Sequence, residues 1–323
     1  MKIADSMLDL IGNIPLVRLN RVGKETGCEI LVKPEFLNPS GSIKDRIAKF
    51  MIEGAERRGE LEPGVIIIEA SVGNTGTSLA FVGAVKGYRV RVYSPLKVMN
   101  APRAALMLAF GPELEKIDTD AIAEQRATTD RSVHGGRIEI PGRELCRDLE
   151  RTLDDVWWAR QFSSPDNVAA HREWTAMEII DQTDSRLDVF VASVGTGGTL
   201  LGVGQALKER LASVMIVGVE PAGWPYMAHG RENYPIIEGI TDGIIPDLFD
   251  TGLLSKVYSV TNEEAVEMAH RLAEEEGMFC GMSSGANVFA CIRVAEELGP
   301  GKRIVTVLPD RRDRYLTEEL YTT

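Results

Sequence analysis

The chain has 323 residues, 44 % of them hydrophobic and 26 % charged, which is enough for two units sharing a substantial core. Its net charge of −12 argues against nucleic acid as a partner, because phosphate binding needs a basic face. No apolar run approaches the roughly 18 residues of a membrane span, and Met1-Lys-Ile-Ala-Asp-Ser6 lacks the apolar centre of a signal peptide, so a cytoplasmic protein is expected.

Residues 29–34 read as the first clear strand. It leads into Asn38-Pro-Ser-Gly-Ser-Ile-Lys44-Asp-Arg46, a turn that runs straight into a helix. Ser42 is a good N-cap, and Ile47, Ala48, Phe50, Met51 and Ala55 recur at helical spacing. Lys44 then stands at the positive end of a helix dipole, where an ammonium is disfavoured and the pKa is expected to fall. A lysine kept partly neutral is a nucleophile for carbonyl carbons.

Val65 to Ile68 is a short apolar run of the kind buried on both faces of a parallel sheet. It ends at Ser71-Val-Gly-Asn-Thr-Gly76, after which Thr77 to Val85 suits a buried helix. A strand from Tyr88 to Tyr93 and a helix from Ala101 to Phe110 continue the βαβ rhythm. From about 112 to 150 the pattern fades; Gly135-Gly136 and Pro141-Gly142 read as turns, and an irregular or mobile stretch is expected.

The rhythm returns with a helix at 167–183 and a strand from Val189 to Val194. The loop Gly195-Thr-Gly-Gly-Thr199 follows, with a helix to about 211 and a strand from Met215 to Val219. The loop's unobstructed backbone N–H groups, helix dipole and two hydroxyls make an anion cradle. A dinucleotide fingerprint is the rival reading, with Glu220 at the distance of a ribose contact, but Leu200 stands where that fingerprint has Gly or Ala. A long loop spans 221–250. Thr261-Asn-Glu-Glu264 is a capping box for a helix ending at Gly277. Gly281-Met-Ser-Ser-Gly285 opens a helix to Leu298, and a last strand runs from Arg303 to Leu308. The cysteines Cys28, Cys146, Cys280 and Cys291 show no Cys-x-x-Cys spacing, so no metal site or disulfide framework is expected. Cys280 reads as a small buried hydrophobe.

Four of these blocks, around Lys44, Gly73 to Gly76, Gly195 to Thr199 and Gly281 to Gly285, occur in an order and spacing that resemble the cysteine synthase and cystathionine β-synthase family. The start Ile11-Gly-Asn-Ile-Pro-Leu-Val-Arg18 is also similar to that family's, and the resemblance runs from about residue 8 to about 316. It implies an α/β protein of the fold-type II pyridoxal-phosphate class (tryptophan synthase β-like), with two mostly parallel α/β domains and the cofactor between them. The smaller, mobile domain would be 37–150 and the larger 1–36 plus 151–323.

By the same resemblance, Lys44 holds pyridoxal 5'-phosphate and later acts as base, and Gly195, Thr196, Gly197, Gly198 and Thr199 cup its phosphate. Ser283 meets the pyridine nitrogen and Asn74 the 3-oxygen. Ser71, Val72, Asn74, Thr75 and Gln161 clamp the substrate carboxylate, with Gly239 and Thr241 alongside the substrate. The implied reaction is β-replacement on a serine- or cysteine-type amino acid through an aminoacrylate, foremost cysteine synthesis from O-acetylserine or O-phosphoserine and sulfide. The implied assembly is a homodimer. Two departures open an alternative. Val72 replaces a family serine, and Asp242 stands where the family has a small residue; Asp242 could serve as base for water or an amine nucleophile. Water would convert cysteine to serine and hydrogen sulfide, and an amine would give a diaminopropionate-type product.

Overall fold

The computed structural model describes residues 3–96, 99–119, 121–122, 136–222 and 251–316. Two parallel sheets organise them. The chain begins with β1 (Val17–Arg18), which pairs antiparallel with β2 (Glu29–Pro34). Helix α1 (Lys44–Arg58) leads to β3 (Ile66–Ala70), α2 (Asn74–Lys86), β4 (Val90–Pro95), α3 (Ala101–Leu108) and β5 (Glu113–Ile117). Helix α4 (Gly136–Thr152) returns the chain to β6 (Val156–Trp158). Helix α5 (Pro165–Ala170) passes through one π-helical turn at His171–Thr175 into α6 (Ala176–Gln182). The rest alternates: β7 (Val189–Ser193), α7 (Gly198–Arg210), β8 (Met215–Pro221), β9 (Lys256–Val260), α8 (Asn262–Glu276), α9 (Met282–Leu298) and β10 (Arg303–Leu308).

The larger sheet has the order β1-β2-β10-β7-β8-β9, and the smaller β5-β4-β3-β6. Apart from the β1–β2 pair, every ladder is parallel. The smaller sheet takes its fourth strand from Val156–Trp158, which pairs with β3. On the larger sheet, α8 and α9 bury Ala265, Met268, Leu272, Val288, Cys291 and Val294 on one face. Helices α6 and α7 bury Ile179, Ile180, Leu200 and Val203 on the other. On the smaller sheet, α1, α2 and α3 cover one face through Ile47, Met51, Leu79, Val82 and Met107, and α4 covers the second through Cys146. Both sheets are thus enclosed on two sides, which is why their strands read as continuous apolar runs.

The stretch expected to be irregular at 112–150 instead supplies β5 and α4. Strand β5 lies at a sheet edge and exposes much of Glu-Leu-Glu-Lys-Ile, so it carries no buried apolar run. Pro141 lies inside α4. Gly142 is there for close approach: a Cβ would lie 2.9 Å from that of Ala70 on β3. A pair that spells a turn locally is a helix–sheet contact in the fold. Among the described residues no helix is long and apolar enough to cross a membrane.

Candidate active site

In each sheet the helices change sides beside a central strand, and open α/β sheets bind ligands at the carboxyl ends of strands flanking such a point. In the larger sheet the ends of β2, β10 and β7 deliver the lysine turn, residues 309–316 and the Gly195 loop. In the smaller sheet the ends of β3 and β6 deliver Ser71 to Thr75 and Gln161.

Lys44 is the first residue of α1 and is half-buried. Its backbone N–H donates to Ser42 Oγ at 3.3 Å. Ser42 therefore caps as expected by its hydroxyl, although the helix boundary falls at Ile43 and Ser42 itself bridges to Asp310. The neighbours of Lys44 build its support. Asp45 folds back to accept from Ser40 N at 2.7 Å and from the Ser40 hydroxyl, and Ser40 Oγ also meets Ser78 Oγ at 3.2 Å. Arg46 is fully buried between Glu35 and Glu178, at 2.8 and 2.7 Å. Asn38 donates to Glu35 at 2.7 Å and accepts from Gly12 N at 3.0 Å. Glu178 also takes the backbone N–H of Asn13 at 2.9 Å and the Lys33 ammonium at 2.8 Å. The opening Gly12-Asn13-Ile14 and the lysine turn are thus one buried network. Burial alone would raise the Glu178 carboxyl, but Arg46 and Lys33 outweigh it and hold the pKa at about 2.

The Gly195 to Thr199 loop enters α7 through Gly197, whose φ of +85° is left-handed. A Cβ on Gly198 would overlap the Asn167 amide. The first N–H groups of α7 have no partner within their own helix, so loop and helix end present donors together. Asn167 donates to Thr196 Oγ1 at 2.9 Å and to the Gln161 carbonyl at 2.7 Å. Thr196 accepts there and keeps its own hydroxyl hydrogen to donate. Thr199 Oγ1 lies 3.2 Å from His171 Nε2, while His171 Nδ1 lies 3.0 Å from Thr175 Oγ1. Burial, with the nearby positive charges of Lys44 and Arg46, lowers the His171 pKa well below its ordinary value, so the ring is neutral. The π turn, a feature common at functional sites, is what carries His171.

Ser71 Oγ accepts from Gly73 N at 3.2 Å and Gly76 N at 3.0 Å, shaping the start of α2. Thr75 Oγ1 donates to Gln161 Oε1 at 2.5 Å, and Gln161 Nε2 donates to Ala70 O at 3.1 Å. Behind them Glu69 is fully buried. It accepts from Gln161 N at 3.0 Å, Trp158 Nε1 at 3.0 Å and Ala70 N at 2.9 Å. Burial pushes its carboxyl up to about 7, against the pull of those donors and of Arg143. Val72 and Asn74 are half-buried at the same loop. Asn74 is bonded to Asp310 and Arg314. Ser283 is buried in the first turn of α9. Asn287, one turn further on, donates to Val307 O at 2.9 Å and accepts from Ser193 N at 2.8 Å, fixing α9 against β10 and β7. Gly239, Thr241 and Asp242 lie outside the described residues. Cys280 is buried with its thiol pushed up to about 12, an inert packing residue as expected.

The arrangement therefore unites the lysine turn, the glycine cup and the Thr75–Gln161 pair through chains of hydrogen bonds. Glu69, Asn167, His171 and Asp310 had no local signal, since each works through partners remote in sequence. The nearest to one is a polar residue set in an otherwise apolar strand or helix.

A family model described as "Pyridoxal-phosphate dependent enzyme" matches residues 7–310. A cysteine synthase of Staphylococcus aureus is 37 % identical over 328 residues, which cover 99 % of this chain and 98 % of that one. The solved cysteine synthase of Entamoeba histolytica superposes with a TM-score of 0.89 at 35 % identity, covering 100 % of this chain and 92 % of its own. A hydrogen sulfide-producing enzyme of Fusobacterium nucleatum gives a TM-score of 0.87 at 34 % identity, covering 98 % and 99 %.

Proposed function

Because the chain belongs to the family of pyridoxal-phosphate dependent enzymes, we propose that it catalyses β-replacement on a serine-type amino acid. The reaction we assign is cysteine synthesis from O-acetylserine or O-phosphoserine and sulfide. The observation that carries this reading is the hydrogen bonding that joins the lysine turn, the glycine cup and the Ser71 to Thr75 loop at the carboxyl ends of the strands of two sheets.

The residues present fit the cofactor. The cup has a left-handed glycine, a second glycine with no room for a Cβ, and hydroxyls at Thr196 and Thr199, all suited to a phosphate. Lys44 would hold the cofactor at its aldehyde carbon, Asn74 would face the 3-oxygen and Ser283 the ring nitrogen. When bound, pyridoxal phosphate supplies an electron-withdrawing ring that acidifies the substrate Cα–H and labilises the β-substituent. Lys44 Nζ, standing at the start of α1, takes the Cα proton. Ser71, Thr75 and Gln161 orient the substrate carboxylate. The Ser283 hydroxyl, unlike a carboxylate, does not keep the ring nitrogen protonated, which favours β-elimination over prolonged carbanion chemistry.

A second reading has water or an amine as nucleophile, with Asp242 as its base. Val72, where the family has a serine, and the likeness to the Fusobacterium hydrogen sulfide-producing enzyme favour it. We expect the protein to work as a cytoplasmic homodimer, with the unit around the smaller sheet closing over the substrate.

The test uses purified protein with bound pyridoxal phosphate. Borohydride should fix the cofactor on Lys44, and Lys44→Ala should abolish both adduct and turnover; a colourless, unreactive protein overturns the proposal. Mass spectrometry of products from O-acetylserine, O-phosphoserine or cysteine, each with sulfide, an amine or water, separates the two readings. Asp242→Ala should slow only the nucleophile half-reaction, and unchanged turnover removes Asp242 from the mechanism.

A further inference from the structure

Asn74 makes two side-chain bonds that none of the motif roles explains. Its Nδ2 donates to Asp310 Oδ2 at 2.6 Å, and its Oδ1 accepts from Arg314 Nη1 at 2.6 Å. Both partners come from the segment after β10, and both are buried, at 1 % and 4 % exposure. The segment is itself anchored. Ile43 N donates to Pro309 O at 2.8 Å, Ser42 bridges to Asp310, and the Arg314 guanidinium donates to the Ser40 carbonyl. Tyr315 donates its hydroxyl to the same Asp310 oxygen, and the Arg103 guanidinium lies over the Tyr315 ring at 5.0 Å.

We infer that Asp310 and Arg314 are positioning residues that lock the Asn74 amide with its nitrogen turned to donate to the bound cofactor. The inference rests on the functional reading above. A free asparagine amide can exchange the places of its oxygen and nitrogen with little penalty. Here the reversed amide would set its carbonyl against a carboxylate and its NH2 against a guanidinium, and both contacts would turn repulsive. An amide nitrogen carries two hydrogens. Asp310 takes one, and the second is the donor offered to the ring 3-oxygen. Arg314, by drawing electron density toward Oδ1, makes that remaining N–H a stronger donor. A donor on the 3-oxygen favours its ionised form, so Asp310 and Arg314 set the electronic state of the cofactor through the Asn74 amide.

The experiment compares wild type, Asp310→Asn, Arg314→Lys, Asn74→Ala and the double variant Asp310→Asn/Asn74→Ala. Each full-length protein is loaded with pyridoxal phosphate and its visible absorption is followed across a pH series. Cofactor affinity is measured by titrating the apo-protein with pyridoxal phosphate, and fold by thermal melting of the apo-protein. The isosteric Asp310→Asn removes the carboxylate that fixes the amide. It should move intensity from the long-wavelength band of the ionised 3-oxygen to the shorter-wavelength band of its protonated form. It should also weaken cofactor binding roughly tenfold, the ratio that a loss of about 1.4 kcal/mol produces. Arg314→Lys keeps the charge but not the fork, and should shift the spectrum in the same direction by less. In the Asn74→Ala background, Asp310→Asn should change nothing further. A wild-type spectrum and affinity in both Asp310→Asn and Arg314→Lys overturn the inference, as does an Asp310→Asn effect of equal size without Asn74. If Asp310→Asn fails to melt cooperatively, Arg314→Lys decides alone. A wild type that takes up no pyridoxal phosphate sinks the functional reading instead.

Discussion

Two glycine loops approach the same cleft from different sheets, and the groups behind them differ. The Gly195 loop is backed by neutral partners: the Asn167 amide and a His171 ring that burial keeps uncharged. The Ser71 loop is backed by Glu69, a carboxyl with three N–H donors and a pKa near neutrality. Glu178, less deeply buried at 15 % side-chain exposure, shows what direct cationic partners do, since Arg46 and Lys33 hold it at about 2. Three N–H donors and the field of Arg143 do not offset the desolvation of Glu69, whereas a guanidinium and an ammonium in direct contact do so for Glu178. The cup is therefore mounted on groups that keep one charge state across the physiological range. The Ser71 loop is mounted on one that titrates within it.

The comparison can be sharpened first at Glu69. Its folded pKa lies above the unfolded value of about 4.5, so the folded state keeps a proton that the unfolded chain has lost, and stability drains away as pH rises from about 4.5 to about 7. The Gln side chain mimics the protonated form. Relative to wild type, Glu69→Gln should gain on the order of 3 kcal/mol across that window in denaturant titrations. Parallel curves would mean that Glu69 is ionised throughout. The same variant should change KM for the amino acid more than cofactor affinity. Next comes the cup. Gly198→Ala drives a methyl into the Asn167 amide and should cost about 1–3 kcal/mol in thermal or denaturant unfolding. It should also weaken pyridoxal phosphate binding, and wild-type affinity would detach the cup from Asn167.

His171→Gln gives a smaller effect, about 1 kcal/mol for the lost hydrogen bond. Its pH signature runs opposite to that of Glu69. The His171 pKa is depressed on folding, so its contribution is present above the ordinary histidine value and lost as pH falls below it. The variant should therefore flatten the acid limb of the stability curve. Smallest of all is the exposed Arg172–Glu209 pair, which is screened by water. Glu209→Gln should shift stability by less than about 0.5 kcal/mol.

Most of this site was legible because each motif is a backbone device. Glycines, a helix start and small hydroxyls reveal the cup, and the lysine turn announces itself by Pro39, Ser40 and Gly41. Buried strands such as Ile66–Ala70 were equally plain, being apolar on both faces. What the sequence hid are interactions spanning long separations. Glu69 sits in an apolar strand and looks like an interruption until Trp158 and Gln161 surround it. Asp310 belongs to a charged run, Asp310-Arg-Arg-Asp-Arg314, whose composition gives no sign of burial, yet folding buries its first, third and fifth members. Pro141-Gly142 spelled a turn because the reason for the glycine, the approach of Ala70, lies on another element.

The register of β10 has a consequence for synthesis. Residues 303–308 insert between strands 29–34 and 189–193, so the larger sheet keeps a gap at its centre until residues 303–308 have left the ribosome. All four strands of the other sheet exist by residue 158. On a translating ribosome the lysine turn must wait, its strand edge unpaired, for a segment made some 270 residues later.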